Sequence, residues 1–398
     1  MTVEFDPFSR EYFDDPTAMY ASMREEAPCF YSEKYDFYAF SRFEDCVAVH
    51  RDTTNFTSTH GLMYETLSDP DYDKSFNSMI MMDPPEHNRY RKLVSRSFTP
   101  RAMARYDELI RGQIQKYLDP LMDRDEFDLV QDFSGPFPVE IICAILGVPE
   151  ADRQTIRHQT DAMLHREEGE ALGSPAQAEA AINQAVYFME FAADKRKHPG
   201  DDLTTILTEA QVETEDGELT GLTDQDIASF CSLIGAAGSE TVTKAVANAG
   251  VLFHRNPGEW EKLKADPTKT DAAVEEVLRY WAPSQYQGRL SVNDTEWHGV
   301  TVKAEKPVFI VTGAANHDER EFGPTATVFD IDRDQRLAMS LGHGIHTCLG
   351  AALARMECAV AIDEIRQRWP NYTIDEDRCE RVQMSNVAGY SSVPMAPA

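Results

Sequence analysis

The chain is 398 residues long, 42% hydrophobic, 10% aromatic and 27% charged, which places it among folded globular proteins and excludes the disordered, collagenous and disulfide-framework classes. Asp and Glu number 68 against 38 Lys and Arg, a formal charge of −30, which argues against a general binder of nucleic acid or of anionic membranes, because phosphate contacts need a basic face. No run approaches the ~20 continuous apolar residues of a membrane span. The amino-terminal region carries Glu4, Asp6, Glu11, Asp14 and Asp15 in place of a basic leader, so a cytoplasmic location is expected.

In chain order, residues 38–40 form a short β-like run, and a second one, 308–311, lies near the other end. Residues 101–119, 271–280 and 349–369 set apolar positions at helical spacing. The Gly- and acid-rich stretches 167–176 and 213–221 are expected loops, and neither has the length or composition of an interdomain linker. Cys29, Cys46, Cys143, Cys231, Cys348, Cys358 and Cys379 are scattered, with no Cys-x-x-Cys pair, which weighs against a disulfide framework or a four-cysteine zinc site. There is no fixed-period repeat. A single domain over residues 1–398, mainly α with a small β part, is the expected organisation.

One helix stands apart. Thr223 with Asp226 three residues later is an Asp variant of the capping box, and it opens a run without proline until Pro257. About thirty helical residues would extend ~45 Å, enough to cross the domain. In its middle stands Gly235-Ala236-Ala237-Gly238-Ser239-Glu240-Thr241, where two glycines each cost ~1 kcal/mol relative to alanine. Either they permit close helix packing, or the helix is distorted over a flat ligand and presents Glu240 and Thr241 there.

Near the carboxyl end, Leu341-Gly342-His343-Gly344-Ile345-His346-Thr347-Cys348-Leu349-Gly350 precedes a helix whose Leu349, Leu353, Met356 and Val360 share one face. Cys348 therefore sits at a loop-to-helix junction, where the dipole and free N–H groups favour a thiolate. The glycines allow a tight loop and a close backbone approach to a large flat group. An inert buried cysteine is the ordinary alternative. Zinc held by His343, His346 and Cys348 is another, though three ligands within six residues are cramped.

This segment resembles the haem-binding loop of the cytochrome P450 monooxygenases, Phe-Gly-x-Gly-x-His-x-Cys-x-Gly, with Leu341 in place of the family's Phe. Other motifs follow in order. Ala237-Gly238-Ser239-Glu240-Thr241 resembles the family's distal helix motif, and Glu276-Val277-Leu278-Arg279 its Glu-x-x-Arg. The latter is credible by position only, since Glu86/Arg89 and Glu150/Arg153 share the spacing. Residues 315–333, ending in Arg333, resemble the meander whose Arg joins that pair.

The resemblance implies the P450 fold, a triangular helical prism with a long central helix over the haem. It implies haem b (iron protoporphyrin IX), with Cys348 as the iron ligand and Ala237 against the ring. His87, Arg91, Arg289 and His346 match propionate contacts. Glu240 and Thr241 match the acid–alcohol pair that moves protons to oxygen. It also places parts of a substrate pocket within 63–82, including Met82, and at Leu233, Ile234, Gln285, Tyr286 and Val387. The two polar members suggest a gripped hydroxyl or carbonyl on a small hydrophobic substrate.

The implied reaction inserts one atom of O2 into a C–H or C=C bond. The chain has no Gly-x-Gly-x-x-Gly dinucleotide unit and no iron–sulfur pattern, so electrons are expected from a ferredoxin or flavodoxin with an NAD(P)H-dependent reductase. Arg89, Lys92, Arg96 and Arg101 are candidate contacts for it. A peroxide-driven peroxygenase and a non-catalytic haem-binding or sensor protein are the competing readings. The acid–threonine pair counts against the first.

Overall fold

The two β-like runs from opposite ends of the chain lie side by side. In the computed structural model, which describes residues 3–72, 78–214, 216–334, 338–384 and 386–398, a five-stranded sheet is built from β1 (Cys29–Ser32), β2 (Phe37–Phe40), β3 (Phe56–Thr57), β4 (Gln287–Ser291) and β5 (Pro307–Ile310), in the order 1-2-5-4-3. β5 pairs in parallel with β2, Val308 beside Tyr38 and Ile310 beside Phe40. Phe37, Ala39 and Phe309 enter one apolar cluster, and Tyr38, Phe40, Val308 and Ile310 another. Both faces are covered, which explains runs that are apolar throughout instead of alternating.

The rest is mainly helical, about 56% of the molecule. The helices that position the site are α1 (Phe43–Arg51), α2 (Glu86–Ser95), α3 (Pro136–Leu146), α4 (Glu150–Leu164), α5 (Pro175–Lys197), α6 (Asp224–Arg255), α7 (Thr270–Tyr280) and α8 (Ala351–Arg368). The expected capping box opens α6. Thr223 Oγ1 accepts from the Asp226 N–H at 3.1 Å, and Asp226 Oδ2 accepts from the Thr223 N–H at 2.8 Å. At 32 residues α6 extends ~48 Å. It packs against α3, α5 and α8 in the main core. The apolar window Leu129–Leu146, the one described stretch able by length and composition to cross a membrane, is 83% buried inside this core.

Of the two readings of α6, close packing is the one favoured, since the α-helical pattern runs on through Gly235 and Gly238. Gly238 lets α3 approach: a Cβ there would stand 2.7 Å from Ile142 Cγ1. One expectation needs correction: the stretch 213–221 is not all loop, because Gln211–Glu213 and Leu219–Gly221 form a small antiparallel hairpin.

The Glu-x-x-Arg pair is buried and joined by a third member. Arg279 Nε donates to Glu276 Oε2 at 2.7 Å and Arg279 Nη2 to Glu276 Oε1 at 2.8 Å, while Arg333 Nε reaches Oε1 at 3.3 Å. Arg279 also donates to the carbonyls of Asn316 and Ala326, tying α7 to the segment that leads toward the cysteine loop.

Candidate active site

The loop carrying Cys348 needs its glycines. Gly342 and Gly344 have φ of 71° and 70°, a left-handed region where a Cβ is strained, and a Cβ at Gly344 would lie 2.7 Å from the His50 carbonyl oxygen. The Cys348 N–H donates to Leu341 O at 2.7 Å, closing the loop three residues before α8 begins. Among the seven cysteines Cys348 alone is exposed. Even so, burial within the fold is the largest influence on its thiol and raises its pKa; the Gly350 N–H, Arg91 and Arg355 pull the other way. A bound metal cation would favour the thiolate here.

On α6, Leu233, Ala237 and Thr241 fall on one face at four-residue spacing. Ala237 is exposed and the other two are half-buried, although Ile234, Gly235, Ser239 and Glu240 around them are buried. The middle of a core helix thus borders open space. Thr241 Oγ1 donates to the Ala237 carbonyl at 2.8 Å, a side-chain bond that an intact helix tolerates. Glu240 points elsewhere, to an ion contact with Lys244 at 2.6 Å, both side chains 4% exposed.

The four expected propionate contacts converge. The His87 and His346 rings lie 4.4 Å apart, Arg91 Nη2 donates to Thr347 O at 2.6 Å, and His346 Nε2 meets Ser58 Oγ at 3.1 Å. Arg289, 4% exposed, donates to Gly288 O at 2.7 Å. Burial, followed by the charges of Arg289, His87, Arg91 and His50, pushes His346 down to about 2. Burial lowers Arg289 to about 10, against the pull of Asp83, and it also lowers His87 and Arg91. Among the described residues none of the four forms an ion pair with a carboxylate, and His87 Nε2 is buried without a partner. His50, on α1, belongs to the same group and the sequence reading missed it. By geometry neither of its buried ring nitrogens has a hydrogen-bond partner, and burial, followed by the charges of Arg289 and His343, pushes it down to about 3 against the pull of Gln287. Its position beside Cys46 and Val49 on the buried face of α1 was the available signal, but that pattern reads equally as core.

Of the expected pocket residues, Met82, Ile234 and Val387 are buried and Leu233 half-buried. Residues 73–77, inside the 63–82 stretch, lie outside the described residues. Gln285 and Tyr286 are a correction. Gln285 Oε1 accepts from Tyr20 Oη at 2.8 Å and its Nε2 donates to Ala282 O at 2.5 Å, so both amide ends are occupied. The Tyr286 ring packs 4.6 Å from Phe309 in the amino-terminal core. Neither is placed to grip a substrate.

The family model of cytochrome P450 matches residues 175–386. Cytochrome P450 130 of Mycobacterium tuberculosis is 33% identical over 387 residues, covering 95% of this chain and 94% of its own. The chain is a cytochrome P450. CYP109E1 from Bacillus megaterium in complex with testosterone superposes with a TM-score of 0.88 at 29% identity, covering 98% of this chain and 99% of that one. P450BioI in complex with a hexadec-9Z-enoic acid ligated acyl carrier protein gives 0.87 at 27% identity, with 98% and 100% coverage. This P450 is accordingly a monooxygenase whose cofactor is haem b, and it works with O2, an organic substrate and redox partner proteins. The site fits that cofactor. Four donors and cations without a carboxylate, His87 and Arg289 buried and Arg91 and His346 half-buried, suit an anion of two carboxylates, and an open cysteine on a glycine-shaped loop offers a soft anionic ligand.

Proposed function

We propose that this P450 is a cytoplasmic, single-domain monooxygenase driven by a separate donor. Cys348 holds the haem iron, His87, Arg91, Arg289 and His346 hold the propionates, and Ala237 leaves space against the ring. The haem supplies the oxygen chemistry, inserting one atom of O2 into a C–H or C=C bond as the other leaves as water. This chain's residues bind, orient and manage protons. The Thr241 hydroxyl donates a hydrogen bond to Ala237 O, which leaves its oxygen lone pairs able to accept a bond from the open space. Glu240, held by Lys244, relays protons to Thr241 through water. Met82, Leu233, Ile234 and Val387 offer an apolar surface to a small hydrophobic substrate. With Gln285 and Tyr286 committed to the core, shape and apolar contact select the substrate.

The donor is a ferredoxin or flavodoxin with its NAD(P)H-dependent reductase. Arg91 ties α2 to the cysteine loop at Thr347, which sets the exposed Lys92, Arg96 and Arg101 on that side of the molecule. A local basic face there attracts an acidic carrier despite the overall charge. Arg89 is less suited, being engaged with Glu213 O at 2.9 Å.

The observation that carries this reading is the pairing of one exposed cysteine with the anion-lacking group around Arg289. The test is the carbon monoxide difference spectrum of the dithionite-reduced protein. A strongly red-shifted Soret band is expected, and Cys348→Ser should abolish it. A red-shifted band that survives in Cys348→Ser would refute the ligand assignment. Turnover with hydrogen peroxide alone, and none with a ferredoxin system, would favour the peroxygenase.

A further inference from the structure

A polar cavity of about 420 Å³ lies against α6 on the Glu240 side. Its charged wall comprises Arg157 and Asp161 of α4, His165 just beyond it, Glu240 and Lys244 of α6, and Arg381 from the strand Glu380–Arg381. Exposed Gln131 and His165 line its rim, so water can enter. Asp161 and Glu240 line the same cavity, with Glu240 Oε1 buried and lacking a hydrogen-bond partner, and two carboxyl groups sharing one buried site are stable together when one of them carries a proton. Burial is the main influence raising Asp161 to about 7, followed by the neighbouring Glu240 carboxyl, with Lys244 and Arg157 opposing. The Lys244 ammonium meets Glu240 Oε1 at 2.6 Å as a charge contact, while Oε1 has no partner of hydrogen-bond geometry. Lys244 is also confined, because a Cβ on Gly389 would stand 2.8 Å from the Lys244 Cβ.

We propose that Asp161 is a positioning residue for proton delivery, sharing one proton with Glu240 while Lys244 balances the remaining charge and cavity water refills the pair. This rests on the roles of Glu240 and Thr241 proposed above. The O–H bond at Asp161 breaks as one forms at Glu240. Glu240 then releases a proton through water toward Thr241, and cavity water returns a proton to Asp161 from solvent. No electrons move and no bond between heavy atoms changes. Asp161 touches none of the reacting atoms and acts through Glu240.

The experiment uses the haem-loaded protein. Infrared difference spectra between pH about 5.5 and about 8.5 should show a neutral-carboxyl C=O band titrating near 7. Burial also raises the Glu357 carboxyl well above the usual carboxylate range, so the Asp161 variants are what assign the titrating band. Asp161→Asn should lose the titrating band, and Asp161→Glu should restore it at a shifted midpoint. Asp161→Ser, whose small side chain admits water, is read in the same way and covers any folding defect of Asp161→Asn. An unchanged band in either neutral variant overturns the proposal.

A second readout is hydrogen peroxide release per O2 consumed, driven by a plant-type ferredoxin and its reductase. Thr241→Ala should raise it several-fold, and Asp161→Asn should remove its pH dependence near 7. If Thr241→Ala changes nothing, the acid–alcohol reading fails and this inference with it. If Thr241→Ala raises the release while Asp161→Asn keeps the wild-type pH profile, the Asp161 inference alone fails.

Discussion

Arg289 is a buried guanidinium with one backbone acceptor and no carboxylate partner among the described residues. Burying such a charge costs several kcal/mol even after relaxation, and a bound propionate offsets that cost. Stability of the haem-free protein and haem affinity therefore pull in opposite directions at this position. Arg289→Met, of similar length without the charge, should raise the thermal midpoint of the haem-free protein. It should also speed haem transfer to apomyoglobin by about tenfold or more, since a charged hydrogen bond contributes roughly 1.5–3 kcal/mol. Unchanged transfer would remove Arg289 from the propionate set. At this scale Cys348 was legible because glycines, a histidine and the cysteine stand at fixed spacing in one short segment. Gln285 and Tyr286 were misread because polarity at the approach to a strand does not reveal which side of the sheet a residue faces. Asp161 and Lys244 could not be read at all, as α4 and α6 are brought together only by the tertiary fold.

Glycine inside a helix has two explanations, and α6 contains both a position that needs it and one that does not. Its start and length were readable from the Thr223–Asp226 box and the absence of proline, because both are local. Its continuity was not, since the cost of glycine looks the same in sequence whether it is spent on packing or on a bend. The space around each position separates the cases. A Cβ at Gly238 would press on the branched stem of Ile142 at 2.7 Å, whereas one at Gly235 would make ordinary contact with Phe188 Cζ at 3.7 Å. Gly235→Ala should gain up to ~1 kcal/mol from helix propensity. Gly238→Ala should lose about 1 kcal/mol net, because overpacking costs ~1–3 kcal/mol against the same gain. Urea midpoints of the haem-free variants measure both, and Ile142→Val should recover part of the Gly238→Ala loss. Equal stabilisation by the two alanines would mean that α3 yields and that packing is not the reason for Gly238. The 211–221 hairpin was hidden for a related reason: its strands are three residues each and exposed apart from Val212, so acid and glycine content outweighed any pattern.

For the molecule as a whole, the Glu276 network links the helical core to the cysteine loop. Glu276 and Arg279 are 1% and 3% exposed. Glu276 Oε1 serves Arg279, Arg333 and the Asp330 N–H, the last at 2.9 Å. Through Arg279 the network holds Asn316 O, and Asn316 Oδ1 in turn accepts from the Met339 N–H at 2.7 Å, just before the loop of Cys348. The sequence marked Glu276 and Arg279 only by their position ahead of that loop, since the same spacing occurs at the surface elsewhere. Glu276→Gln keeps the size but leaves two guanidiniums facing an amide with a single acceptor oxygen, and breaking a buried pair in this way costs roughly 3–5 kcal/mol. The loss should reach the cofactor as well as the fold. The thermal midpoint should fall, and the fraction of protein giving the red-shifted carbon monoxide band should drop, with the remainder absorbing where the thiolate is protonated or displaced. Lys262→Met, which removes an exposed-side contact to Asp330 and Asp332, should leave that fraction unchanged, because surface pairs contribute ~0–1 kcal/mol. A Glu276→Gln protein that loses stability yet keeps the full red-shifted band would mean that the cysteine loop is held by its own glycines and the Leu341 bond, independently of the network beneath it.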